Sequence, residues 1–184
     1  MPNLVETRNA TILAVVIGIL GMPLHAAAKC PTAYLRITGN ALVAPLIVDD
    51  PEFASQFDIW NGPGVRVNEK PIHLDSNRPI GAFIDWPSGP IDERPGEGLS
   101  FSVKFFCIRE GSGSKRMVYE VDYLIDDSDN GYIFLPGEGD PRYRFNTFSI
   151  AHGVEGNWFR ASPEWERLIR PMIVQAITPK AEAT

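Results

Sequence analysis

The chain has 184 residues, 17 basic and 23 acidic side chains, and a formal net charge of −6. That length suits one domain, and a hydrophobic content of 44% excludes wholesale disorder. Net acidity argues against nucleic acid, whose phosphates need clustered Lys and Arg, and against an anionic membrane surface; two Cys and three His leave little material for a metal cluster.

Residues 1–28 read as a secretory signal peptide. Arg8 supplies a positive leading stretch, partly offset by Glu6, and residues 11–24 form an uncharged apolar run. Ala26, Ala27 and Ala28 offer the small side chains a signal peptidase needs, so cleavage is expected before Lys29. The apolar run is shorter than the roughly 20 residues of a membrane span and carries Gly18, Gly21 and Pro23, so no stable anchor is expected after cleavage. Lys29 directly before Cys30 argues against lipidation there. The mature protein is then exported, to the periplasm or the medium, as a single β-rich domain over 29–177 with a flexible tail at 178–184. It retains His73 and His152, and two cysteines, Cys30 and Cys107. A disulfide between them is the one pairing available. It would close a loop of about 78 residues, worth about 4.5 kcal/mol on the chain-entropy argument.

Tyr34–Thr38 and Ala41–Val48 are β-leaning runs separated by Gly39-Asn40. Asp50-Pro51-Glu52 is a helix start with Asp as cap, and Phe53 and Phe57 would share one face. Two Gly and a Pro enforce a turn after Trp60-Asn61. Ile80–Trp86 has strand character, and Pro87–Gly98 reads as a loop. In Leu99–Ile108, Leu99, Phe101, Val103, Phe105 and Cys107 alternate with polar residues until Phe106 and Ile108 break the pattern. In Arg116–Ile125, Met117, Tyr119, Val121, Tyr123 and Ile125 alternate in the same way, and Tyr132–Leu135 makes a third strand. The turns at 111–114 and 126–131 join these runs into an antiparallel meander. Ser162-Pro163 then starts a helix whose Trp165, Leu168, Ile169, Met172 and Ile173 form an apolar stripe, with Pro171 placed to kink it. The expected fold is mainly β or α+β: an antiparallel meander or sandwich with a C-terminal amphipathic helix laid over one face of residues 99–135.

Catalytic signatures are weak. There is no GxSxG turn. Ser149, His152 and Glu155 lie close in sequence, but three-residue spacing seldom builds a triad outside a helix, and Gly153 and Gly156 disfavour a helix there. Zinc would need His73 and His152 with carboxylates, without an HxH or HExxH motif. Asp126, Ser128, Asn130 and Gly131 match the opening of a Ca²⁺ loop, but Gly137 stands where a bidentate Glu belongs, so a hairpin turn is the better reading. Gly111–Ser114 with Lys115 lacks phosphate-loop spacing. Asp85, beside Trp86, is the one carboxylate on a hydrophobic strand. No metal and no cofactor is therefore expected. Aromatic residues set beside polar ones mark the candidate binding residues: Trp60, Asn61, Arg142, Tyr143, Arg144, His152 and Trp158.

The segments ITGNALVAPLIVDDP, FDIWNGPGV, GYIFLPGEGDPRYRFN and GVEGNWFRASPEWE resemble an uncharacterised family of small exported bacterial proteins, over about Leu35 to Met172. The resemblance implies export and a bacterial origin and carries no mechanism or functional residue. The functional expectation is a non-enzymatic module that binds a cell-envelope or extracellular partner. The alternative is a small periplasmic or secreted hydrolase using His152 with a neighbouring carboxylate.

Overall fold

The computed structural model describes residues 31–60, 62, 66–67, 70–71, 83–108 and 111–177. The expected leader over 1–28, Cys30, Asn61, His73 and the tail over 178–184 lie outside the described residues.

The alternation over 98–135 dictates the centre of the fold. Long strands β6 (Gly98–Ile108) and β7 (Lys115–Asp126) pair antiparallel, and β8 (Gly131–Phe134) continues the meander. β1 (Tyr34–Thr38) pairs with the free edge of β6, and β2 (Leu46–Val48) pairs with β1. At the opposite edge lie β9 (Trp158–Arg160), paired with β8, and β5 (Pro90–Ile91), paired with β9. Among the described residues this makes one seven-stranded antiparallel sheet in the order β2-β1-β6-β7-β8-β9-β5. A separate two-stranded ladder joins β3 (Arg66–Val67) to β4 (Lys70–Pro71). The fold is mainly β with short helices, as expected, and the expected meander is the centre of the seven-stranded sheet.

Phe101, Val103, Phe105 and Cys107 of β6 and Tyr119, Val121, Tyr123 and Ile125 of β7 point to one buried face. Three short helices start as their Pro-containing caps dictate. In α1 (Pro51–Ala54), Asp50 Oδ1 accepts from Phe53 N. In α2 (Pro141–Ser149), Asp140 accepts from Arg142 N, and in α3 (Pro163–Leu168), Ser162 Oγ accepts from Trp165 N. α4 (Arg170–Ile177) follows α3 at once, the break falling just before Pro171. The stripe Trp165, Ile169 and Ile173 is fully buried on the sheet's inner face. Trp165 is its hub, with ring centroids 5.1 Å from Phe57, 5.6 Å from Tyr123 and 6.4 Å from Phe83. The expected helix over the meander is therefore present, in two pieces.

Four features depart from the sequence reading. The β6–β7 register shifts beyond Phe105, where Tyr119 is its partner and Met117 is the partner of Phe106. Val118 is the extra residue of this bulge, and it turns Met117 to the face opposite Tyr119. The expected strand Ile80–Trp86 lies partly outside the described residues. Its described part makes a single bridge, Ile84 to Ala161, and then a 3-10 turn over Trp86–Ser88. Only Leu46–Val48 of the second run is a strand. α2, β9 and β5 are not among the expected elements, and β5 lies inside the expected loop Pro87–Gly98.

α2 lies against β7 on the sheet's outer face, and this position has a backbone cause. β8 pairs with only Asp122–Ile125 of β7, so the β7 edge beyond Asp122 lacks a strand partner there. Asn146 of α2, 0% exposed, fills it. Its Oδ1 accepts from Glu120 N at 2.9 Å and its Nδ2 donates to Glu120 O at 2.7 Å. One side-chain amide thus does for Glu120 what a neighbouring strand would do. The chain leaves the sheet for α2 after Leu135 and returns at Asn157. Leu135 N donates to Asn157 O at 3.1 Å, and Gly156 N donates to Leu135 O at 2.8 Å. Gly137 meets Gly156 at this neck so closely that a Cβ on Gly137 would lie 2.4 Å from the Gly156 Cα.

Candidate functional site

The outer sheet face is built in cross-strand rows. One row runs Ser102, Asp122, Phe134, Trp158, Ile91, and the next runs Ser100, Leu124, Tyr132, Arg160. α2 lies at the Glu120 end of β7, and the face toward the β7–β8 turn stays open. There, an open groove of about 670 Å³ is lined by Ser100, Asp122, Leu124 and Trp158 of the sheet, by Arg94 and Glu97 of the loop before β6, and by the turn residues Asp126, Asp127 and Asp129. Such a volume fits a small ligand or one segment of a chain.

Its aromatic wall is fixed from behind. Trp158 is half-buried, with its ring centroid 5.0 Å from that of Phe134. Beside it, Asp122 is held by the Arg142 guanidinium at 2.6 and 2.9 Å in a two-pronged contact. The same guanidinium donates to Asp140, which also caps α2. Asp122 first and then Asp140 push the Arg142 pKa above its ordinary value, and the Arg142 hydrogen bond holds the Asp140 carboxyl below its own. Arg142 therefore stays cationic and ties α2 to the groove floor.

The remaining charge is unbalanced. Asp129 has an ion pair with Arg170. Asp126 accepts from Asn130 N, which does most to lower its pKa, and from Ser128 N, and these bonds pin the β7–β8 turn, as the hairpin reading expected. With Asp122 and Asp129 matched, Glu97, Asp126 and Asp127 face Arg94 on the groove wall. The groove is net acidic. A cation already sits over a ring on this face, the Arg160 guanidinium 5.8 Å from the Tyr132 centroid.

The structure divides the sequence-nominated residues. Arg142 holds Asp122, which lines the same groove as Trp158. Tyr143 is half-buried and Arg144 exposed on α2. Trp60 is 5% exposed in the core. Asn61 lies outside the described residues, but neighbouring Gly62 packs on Trp86: at φ +126°, a Cβ there would lie 2.5 Å from the indole. His152 is 1% exposed, and neither ring nitrogen has a hydrogen-bond partner among the described residues. Its main-chain N donates to the Glu155 carboxylate, so that carboxylate engages the backbone instead of the ring. The ring pair that a hydrolase based on His152 needs is not formed among the described residues. Burial pushes the His152 pKa down to about 4, against a smaller opposing pull from Glu155. Asp85 opens the 3-10 turn and accepts from Ser88 Oγ. Cys107 is buried on the core face of β6, while Cys30, its expected partner, lies outside the described residues.

Sequence reasoning missed Asp122, Leu124, Ser100, Glu97, Asp126 and Asp127 as groove residues. The alternation held part of that signal. Once Tyr123 and Ile125 face the core, Asp122 and Leu124 must line the opposite face, and an apolar Leu124 in a polar row marks a covered spot. Comparison with protein-family models, with curated proteins and with solved structures found no match for this chain.

Proposed function

We propose that this chain is a non-catalytic binding module that takes a cation-bearing ligand, such as an amine or a basic side chain, in the outer-face groove. The observation that carries this reading is the fixed half-buried ring of Trp158 in a concave, net-acidic wall. An aromatic face and nearby carboxylates both favour a cation, and the bound Asp122–Arg142–Asp140 arrangement keeps the floor rigid before the ligand arrives. Export after cleavage before Lys29 and a Cys30–Cys107 disulfide belong to the same proposal. They place the ligand in the periplasm or the medium.

Calorimetric titration with spermidine at physiological ionic strength tests it. Trp158→Ala and the double variant Glu97→Gln/Asp127→Asn should each weaken binding about fivefold or more. A neutral linear polyether of similar length should not bind. Equal affinity of wild type and both variants, or no binding by the wild type, refutes the reading.

A further inference from the structure

Two buried rings, His152 and Tyr119, and the half-buried Trp86 meet below the β5–β9 edge. The His152 ring centroid lies 5.2 Å from that of Trp86 and 5.9 Å from that of Tyr119, the latter perpendicular. Trp86 also packs on Phe159 of β9 at 5.2 Å. The His152 ring nitrogens, the Tyr119 hydroxyl and the Trp86 indole nitrogen are all buried without a hydrogen-bond partner among the described residues. Neutral rings tolerate that setting, but an imidazolium does not, since it must have solvent or a partner for each N–H.

The position of this cluster gives it leverage. His152 stands in the segment that enters β9, and Trp86 stands in the turn that enters β5. β5 and β9 pair only through Pro90 with Phe159 and Ile91 with Trp158, and β5 is the last strand of the sheet. Such a short edge opens at lower free energy than the β6–β7 centre. Trp158 of this edge is the groove's aromatic wall.

We propose that the His152 ring is an acid-sensitive latch for the β5–β9 edge: protonation drives the ring to solvent, frees the Trp86 turn and the 150–157 segment, and dismantles the groove wall at Trp158. The groove consequence rests on the binding reading above, whereas the opening of the edge does not. The titratable groups acting on the ring are Glu155 on its own segment and the Tyr119 hydroxyl from β7. Tyr119 is held protonated, its pKa raised by burial first and by Glu155 second. From the Trp86 turn the contact is a neutral indole, and Asp85 at its start is engaged with Ser88. Of these groups the imidazole alone gains charge in mild acid.

The test is native-state hydrogen exchange of the full chain, corrected for intrinsic rates. With an exposed imidazole titrating at 6.5 and the buried one at about 4, opening of the edge should rise about tenfold from pH 7.5 to 5.5, and some seventyfold by pH 4.5. The reporters are the β9 amides and Asp85 N–H, which donates to Arg160 O. Amides at the β6–β7 centre should stay more protected than the edge at every pH. His152→Leu should flatten the response, and Glu155→Gln should retain it. Pre-exposure of the edge in His152→Leu at neutral pH would show as fast exchange there; a second variant, His152→Phe, then carries the comparison. Equal protection of the wild-type edge at both pH values, an undiminished acid response in both His152 variants, or its loss in Glu155→Gln overturns the latch. Spermidine titration at pH 7.5 and 5.5 separates the two proposals. Affinity falling with edge protection supports both. No spermidine binding at either pH overturns the binding reading and leaves the exchange result to decide the latch.

Discussion

Replacing Asn146 by Ala should destabilise the protein far more than its place on a polar surface helix would suggest. The substitution removes no apolar contact of note. It strips the Glu120 N–H and C=O of their partners at 2.9 and 2.7 Å, and no strand is close enough to replace them because β8 ends its pairing at Asp122. Each orphaned group costs about 1–3 kcal/mol where water cannot reach it; with Glu120 half-buried the lower half of that range applies, giving about 2–4 kcal/mol together. For a domain of this size that is a fall in Tm of about 5–12 °C. Urea unfolding of wild type and variant at neutral pH gives the difference directly, with an unchanged slope showing that the unfolded state is unaffected. Asn146→Asp sharpens the test. Its carboxylate can accept from Glu120 N but sets oxygen against Glu120 O, so it should be as damaging at neutral pH and should recover in acid, when the protonated form can donate. A loss below about 0.5 kcal/mol for Asn146→Ala, or no acid recovery for the Asp variant, would refute the view that α2 is held by this amide.

Trp165→Ala should cost about 3–5 kcal/mol, because the fully buried indole joins Phe57, Phe83 and Tyr123, and denaturant melts would read it. Asp140→Ala removes both the α2 cap and one Arg142 partner and should cost about 1–2 kcal/mol, with the loss seen first in exchange of the α2 amides. His152 sets a pH window for global stability as well. Its folded pKa lies below the unfolded value, so its contribution is complete above pH 6.5 and declines as pH falls toward 4, by about 3 kcal/mol in all. Chemical denaturation at pH 7 and pH 4.5 should show that slope in wild type and a much smaller one in His152→Leu. A thiol assay on the denatured, unreduced mature protein should titrate no free cysteine if Cys30 and Cys107 are bridged, and two if they are not.

The elements legible in the sequence are those whose order is stored in local periodicity. The meander follows from the alternation in 99–125, and α3 from Ser162-Pro163 with its stripe. α2 starts with the same signal, Asp140-Pro141, but it has no apolar stripe to confirm it. Its one buried residue is Asn146, and it docks by a polar contact that leaves no 3.6-residue trace. Val118 defeated the alternation differently: one extra residue inverts every assignment behind it, and nothing in MVYEV marks which residue is extra. The groove was the hardest part to see. Trp60 and Trp158 look alike in sequence, each with a polar neighbour, yet one is in the core and the other on the outer face. The difference is made by the pairing of Phe134 with Trp158, which the α2 excursion separates along the chain.

The glycine contact between Gly137 and Gly156 gives that excursion the form of a handle clipped to a hairpin. With the two backbones touching at its base, everything from 138 to 155 could be cut away and its ends rejoined by a tight turn without moving β8 or β9. The chain could equally be opened within it to give new termini. The sheet would keep its order, and the losses would include Asn146 at the β7 edge, Arg142 beside Asp122, His152 beneath the rim and Ile150 in the core. A shortened version would be a leaner scaffold with an unguarded strand edge, and its tendency to self-associate there would measure how well the handle shields the native protein from its own copies.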